Sequence, residues 1–203
     1  NHSTGADIDW CGDARGVAFH VGAKSLGVAA GAEVFNNYGD KGNEELMMVH
    51  GFAIHNNLHD SYGLRLLMRT SADDPPRCLG VFRMHRSDNP DVISSAQEQI
   101  PSDLWRAITD PLEYMAQGPT SEDAEGDPDP ISVEEEDVRM LLATVQQRLA
   151  PFAATQAEDR AGAGAEWPDT PDGVRAMFVN IYRNGQRKVL EDAVTTLEGM
   201  LSG

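Results

Sequence analysis

The sequence predicts an α+β fold in which a β-rich beginning is followed by a mostly α-helical remainder. Residues 1–39 contain short apolar runs that are separated by glycines, which is typical of strands and turns. Residues 134–152 and 172–201 instead carry apolar side chains every three or four positions, as helices with one buried face do. Because the strands and the helices are segregated along the chain, we expect separate modules.

Three short strands are predicted before residue 40, at 8–10, 17–21 and 32–35, with breaks at the intervening glycines. A helix is expected to begin at Asn43 and to stop at Gly51, because glycine readily adopts the left-handed conformation that ends many helices. The segments 61–69 and 78–84 are compatible with strands or short helices, and their periodicity does not distinguish the two.

Helices dominate the rest of the chain. The first is expected to begin near residue 102, with Ser102 or Asp103 as its cap. The apolar stripes at 134–152 and 172–201 predict two longer helices, the second of about 30 residues.

The chain of 203 residues has a formal net charge of −17, which argues against holding nucleic acid or anionic lipid by bulk electrostatics. Most of that charge lies in two stretches. Residues 118–138 contain nine acidic residues and no Lys or Arg, and residues 155–173 contain five acidic residues and one arginine. We interpret both as solvated acidic loops, with an acidic docking segment for a basic partner as the alternative.

Targeting and redox signals are sparse. No apolar run is long enough to span a bilayer, and no secretory signal opens the chain. Cys11 and Cys78 cannot form a disulfide framework, so we expect a reducing compartment and a cytoplasmic or nuclear location. The chain begins at Asn1 within a motif, so we expect it to be an excerpt from a longer protein.

Four short motifs follow one another in a fixed order near the beginning of the chain. They are NHS at 1–3, GAEVFNNYG at 31–39, KGNEELMMVHGF at 41–52 and an Asn-Asn-x-x-Asp turn at 56–60. A fifth, NIYRNGQ, occupies 180–186. This ordered set resembles the SET-domain methyltransferases, and within them the Rubisco large-subunit methyltransferase class, which includes fungal ribosomal-protein lysine methyltransferases.

The resemblance implies a division into two domains. Residues 1–62 would form the C-terminal half of a β-rich SET domain, in which the NHS and NYG segments are threaded as a pseudoknot. Residues 63–203 would form the helical substrate-binding domain, with the acidic loops at 118–138 and 155–173.

The resemblance also implies a site. Asn1 and His2 would bind S-adenosyl-L-methionine, and Tyr38 would be the catalytic tyrosine, with Gly39 allowing a sharp turn after it. Phe35 and Phe52 would line a lysine channel, with core packing as the favoured alternative for both. Tyr182 and Arg183 would shape a groove for the protein substrate, with helix packing as the alternative. No metal is required for methyl transfer, which is an in-line displacement that depends on alignment of the reactants.

The implied function is an S-adenosylmethionine-dependent protein-lysine N-methyltransferase. We expect a monomer that acts on a ribosomal or other basic protein, without direct contact to nucleic acid or membrane. Two alternatives stay open: a non-catalytic SET-like interaction module and a protein-histidine methyltransferase. Two weaker interpretations are also open. Residues 1–3 match an N-glycosylation sequon. His55 and His59 have the i, i+4 spacing of a metal site, but no acidic residue or cysteine completes a ligand set with them.

Overall fold

The structure is a computed structural model that describes residues 2–3, 5–22, 28–69, 71, 73–89, 99–119, 131–163 and 166–202, the last turns of the fourth helix (156–163) as backbone only. Within these residues the protein is a mixture of α-helices and small antiparallel sheets, as the sequence predicts. The chain forms two compact units, Asn1–Lys41 and Gly42–Gly203, which are described separately below.

The first unit is built around a two-stranded antiparallel sheet. Strand β1 (Ile8–Asp13) pairs with β2 (Gly16–Val21) over their full lengths. The tight turn between them is held by the Asp13 side chain, which accepts hydrogen bonds from the backbone and the guanidinium of Arg15. The strands predicted at 8–10 and 17–21 are therefore confirmed and are longer than expected.

The strand predicted at 32–35 is wrong. These residues are irregular, and the pairing nearest to them within the described residues is an isolated parallel bridge between Asn36 and His2. Three apolar residues around Glu33 supply a side-chain pattern compatible with a strand, but a strand also needs a neighbour that pairs along its length.

The second unit begins with the predicted helix. It consists of a short α-helical segment, α1 (Asn43–Glu45), that continues directly into a π-helical turn, Leu46–His50. Gly51 ends the helix in the left-handed conformation, with φ of +76°, and donates its N–H to the carbonyl of Met47. The predicted stop at Gly51 is confirmed, whereas the π-helical turn has no counterpart in the sequence pattern.

A β-hairpin follows and resolves the ambiguous segments as strands. Strand β3 (Ser61–Met68) pairs antiparallel with β4 (Arg77–His85), with an irregularity between Leu66 and Leu67. Leu64, Phe82 and Met84 point to the interior, while Arg65, Val81 and Arg83 point outward. The alternation of period two is thus real, but the apolar residues on the outer face disguise it in the sequence.

Two short helices, α2 (Ser102–Thr109) and α3 (Pro111–Gln117), come next. The cap predicted at Ser102 or Asp103 is wrong: Pro101 occupies the N-cap position, without a side-chain hydrogen bond, and Asp103 pairs with Arg106. A side-chain cap is present on α3 instead, where Asp110 accepts a hydrogen bond from the N–H of Glu113 at 2.8 Å.

The chain ends in two long helices, α4 (Glu135–Ala163) and α5 (Pro171–Ser202), which pack against each other. Both predicted helices are confirmed. They extend into the acidic stretches, so that residues 135–138 and 155–163 are helical rather than loops. Three acids in the first turn of α4 suit the positive end of the helix dipole, which explains why an acidic sequence begins a helix here. Residues 120–130 of the first acidic stretch lie outside the described residues.

One hydrophobic core joins the hairpin to the helices of the second unit. Its fully buried side chains come from β3, β4, α2, α4 and α5 and include Leu64, Met84, Leu104, Leu141, Val145, Val189, Leu190 and Leu197. Trp105 is also buried in this core. In the described part of the chain, no helix is both long and apolar enough to cross a membrane.

Candidate functional site

The beginning of the first unit is held against the segment that precedes Tyr38. His2 and Asn36 form a parallel bridge, and the N–H of Ser3 donates to the carbonyl of Asn36 at 2.9 Å. Two motifs that are 34 residues apart in the sequence, NHS and NNYG, are therefore neighbours in space. Asn1, which completes the first motif, lies outside the described residues.

His2 and Tyr38 are in direct contact through both backbone and ring. The backbone N–H of Tyr38 donates a hydrogen bond to Nδ1 of His2 at 3.0 Å. The two rings stack with their centroids 5.2 Å apart and their planes inclined by 23°. Because Nδ1 is occupied as an acceptor, the neutral imidazole carries its proton on Nε2. The contact fixes the orientation of both rings.

The residues beside Tyr38 reinforce this arrangement. Asn36 accepts a hydrogen bond from the indole N–H of Trp10 at 3.1 Å through its side chain. Gly39 has φ of +91°, a conformation that side chains disfavour, and its N–H donates to the side chain of Asn37 at 2.9 Å. The sharp turn expected at Gly39 is confirmed.

The predicted substrate residues are distributed over both units. Phe35 is exposed and lies beside Ser3 and Asp7 on the wall of a shallow cavity of about 240 Å³ in the first unit. Phe52 belongs to the second unit, where it is half-buried with its ring 6.1 Å from that of His50. Tyr182 and Arg183 are half-buried on helix α5.

A polar cluster in the second unit ties the KGNEEL motif to the Asn-Asn-x-x-Asp turn. Asp60 is almost completely buried and accepts hydrogen bonds from the backbone N–H of Asn43, at 2.7 Å, and from its side-chain amide, at 3.0 Å. Asn43 also exchanges two hydrogen bonds with the backbone of Ile54. Burial raises the pKa of Asp60 to about 6, although the hydrogen bonds from Asn43 and the nearby Arg86 act in the opposite direction.

Helix α5 packs onto this cluster through its NGQ sequence. A side chain at Gly185 would overlap the carboxylate of Asp60, so the absence of a Cβ allows the helix to approach it. The next residue, Gln186, is buried and donates to the carbonyl of Ser61 at 2.8 Å. The distal motif is thereby connected to the motifs at 41–60.

Tyr182 lies near the same cluster. Burial raises the pKa of its phenol, and the negative charges of Glu44 and Asp60 raise it further, so the hydroxyl stays protonated at neutral pH. Glu44 is also paired with Arg83, at 3.2 Å. Glu44 and Arg83 thus place one charge of each sign near the Tyr182 phenol.

Asn43, Asp60 and Gly185 received no functional role from the sequence alone. Their motifs are recognisable, but the contacts that join them span up to 125 positions, and no local pattern predicts which residues meet. A buried Asp is rare unless it is paired, and the segment 55–60, which is polar except for Leu58, gave no sign that Asp60 is buried. Among the described residues, no group of three or more His, Cys, Asp and Glu side chains could hold a metal ion.

Comparison with known proteins gives a distant relationship. No protein-family model matches the chain. It is similar to the ribosomal lysine N-methyltransferase 1 of Saccharomyces cerevisiae, with 23% identity over 192 residues, covering 82% of this chain. The match covers 31% of the yeast protein, so the chain spans about a third of the length of that relative.

Proposed function

We propose that the chain is the C-terminal half of a SET domain, with its helical substrate-binding domain, of an S-adenosylmethionine-dependent protein-lysine N-methyltransferase of the Rubisco large-subunit methyltransferase class. The observation that carries this proposal is the hydrogen-bonded stack of His2 on Tyr38, which unites the two motifs that the resemblance assigns to cofactor and catalysis. The similarity to the yeast ribosomal lysine N-methyltransferase supports the methyltransferase part of this proposal.

S-adenosyl-L-methionine supplies, when bound, a methyl group on a positively charged sulfur. In this proposal Asn1 and His2 hold the cofactor, chiefly through their backbone. The described residues fit that role, because the His2 ring is already engaged by Tyr38 and is fixed in place. The bridge between His2 and Asn36 brings the two segments side by side, which supports the proposed pseudoknot.

Tyr38 acts in this proposal by orienting the nucleophile. A lysine with a pKa near 10.4 is a nucleophile only as the neutral amine, so the site has to accept the amine without a permanent charge of its own. A neutral phenol can accept or donate one hydrogen bond and so can align an amine without adding a negative charge. The stack on His2 limits the directions in which the Tyr38 hydroxyl can point.

The substrate in this proposal is a basic protein, such as a ribosomal protein, in the cytosol or the nucleus, and the enzyme acts as a monomer. Phe35 and Phe52 contribute apolar walls for the lysine stem. Tyr182 and Arg183 contribute to the groove for the rest of the substrate.

The test uses the product of the complete open reading frame that contains this sequence. It is incubated with S-adenosylmethionine carrying a labelled methyl group and with cell extract, and the modified residue is identified by mass spectrometry. We expect a labelled protein band with methyllysine, which Tyr38→Phe abolishes. Tyr114→Phe, the same change at a buried position of α3, serves as the matched control and should label normally.

Three results would overturn parts of the proposal in different ways. Methylhistidine in the labelled protein would replace lysine as the substrate residue. Labelling that Tyr38→Phe leaves unchanged would remove the catalytic role of that tyrosine. No labelling, together with no cofactor binding by calorimetry, would leave a non-catalytic interaction module.

A further inference from the structure

We propose that a cavity in the second unit, at the C-terminal end of helix α5, binds a small neutral apolar molecule that carries a hydrogen-bond acceptor oxygen. The cavity has a volume of about 470 Å³, which is within the range of small-molecule sites. Its apolar walls come from helix α2, helix α5 and the segments that precede α2 and α4: Ile100, Trp105, Ile131, Val133 and Met200.

The chemistry of the lining selects a neutral ligand. Among the described residues, the side chains that line the cavity include no Asp, Glu, Lys, Arg or His. A charged group placed among them would lose its hydration without gaining a partner of opposite charge. An apolar molecule would instead bury surface against Trp105 and the aliphatic residues, which is favourable.

Three polar side chains, Gln99, Ser102 and Thr196, also line the cavity, and Gln99 defines the orientation of the ligand. Gln99 is 9% exposed and lines the cavity. Its backbone carbonyl accepts a hydrogen bond from the N–H of His85, which ends β4, at 3.0 Å, and its side-chain oxygen accepts one from the Thr196 hydroxyl at 2.5 Å. The main chain and the amide are therefore both anchored.

The other end of that amide is unmatched. In the described part of the chain, Nε2 of Gln99 is a buried donor without an acceptor. Buried donors are rarely left in this state, because each loses its hydrogen bonds to water without replacing them. A carbonyl or ether oxygen of a ligand in the cavity would satisfy this donor while the remainder of the molecule contacts the apolar walls.

The first experiment measures binding of the neutral dye Nile red, whose ring carbonyl is an acceptor, to the 203-residue chain by fluorescence. We expect saturable binding that Ile131→Trp, which fills the cavity, reduces at least tenfold. Leu112→Trp places the same side chain at an exposed position of α3 and should leave binding unchanged. Trp10 and Phe19 are also exposed, so only the part of the signal that Ile131→Trp removes belongs to the cavity.

The second experiment tests the hydrogen bond. Acetophenone and isopropylbenzene have similar shapes, but only the ketone has an acceptor. We expect acetophenone to compete about five- to tenfold better than isopropylbenzene, as one neutral hydrogen bond allows, and Gln99→Leu to abolish this preference. Equal competition by the two compounds in the wild-type chain would overturn the assignment of Gln99.

A measurement on the unmodified chain avoids dependence on variant folding. The side-chain amide resonances of Gln99 are followed by NMR during titration with acetophenone. We expect them to shift with the same saturation curve that competition against Nile red gives. Unshifted Gln99 resonances at saturating acetophenone, or Nile red binding that Ile131→Trp leaves intact, would overturn the proposal.

Discussion

At the scale of single residues, the second unit contains the buried carboxylate of Asp60, whose burial costs free energy when it is ionised. Asp60 is 1% exposed, and the groups that compensate it are the backbone and side chain of Asn43. Since its pKa is raised above its ordinary value, the folded state prefers the protonated form more than the unfolded state does.

This raised pKa predicts a pH dependence of stability. Between about pH 4 and pH 6 the folded chain holds a proton on Asp60 that the unfolded chain has released, so stability falls as the pH rises through this window. Relative to Asp60→Asn, the wild type should lose on the order of 2–3 kcal/mol of unfolding free energy between pH 4 and pH 7. Denaturant unfolding of both proteins across this range measures the difference, and a constant difference would contradict the raised pKa.

Gly185 gives a second prediction at this scale. Gly185→Ala introduces a methyl group that overlaps the Asp60 carboxylate, so we expect a loss of about 2–4 kcal/mol in unfolding free energy. Gly199 lies on the same helix with open space around it, and Gly199→Ala should stabilise the chain by up to about 1 kcal/mol. Equal effects of the two substitutions in urea unfolding would show that the close approach to Asp60 is not what requires glycine at 185.

At the scale of secondary-structure elements, local chemistry explains where some helices begin and end, and packing explains the rest. Gly51 and the stripes of helices α4 and α5 were predictable because a left-handed stop and a 3.6-residue period are local properties. The nature of β3 and β4 was not predictable, because exposed Leu67 and Val81 interrupt the alternation. The strand predicted at 32–35 failed because pairing along a strand is not a local property.

The cap of α3 gives a prediction for one of these elements. Asp110→Ala removes the acceptor of the Glu113 N–H and should lower the unfolding free energy by about 1 kcal/mol. Asp110→Asn keeps an acceptor of the same geometry and should change the unfolding free energy by at most a few tenths of a kcal/mol. Urea unfolding at pH 7 distinguishes the two, and a similar loss in both variants would point to charge rather than capping.

At the scale of the whole molecule, the net charge of −17 has a limited bearing on function. Thirteen of these charges belong to the stretches 118–138 and 155–173, and the rest of the chain carries −4. Part of the acidic sequence begins helix α4, so it has a structural use as well. The charge is therefore compatible with a basic protein substrate and gives no information on the reaction.

The site itself was predictable from the sequence only through the order of its motifs. The resemblance that includes both NHS and NNYG predicted that His2 and Tyr38 belong to one site. The hydrogen bond from the Tyr38 N–H to His2 and the tie between Asp60 and Gly185 depend on how distant segments pack. Such contacts have no signature in spacing or composition.

The central claim is that Tyr38 orients the nucleophile in a methyl transfer, and the rate of that step tests it most directly. The measurement is a single-turnover rate of methylation by the product of the complete reading frame. Its substrate is the unmodified form of the protein that the wild type was found to label. The account predicts a decrease of roughly a hundredfold for Tyr38→Phe, because the aligning hydroxyl is lost while the ring remains, and no change for Tyr114→Phe. Equal rates for the wild type and Tyr38→Phe would contradict it.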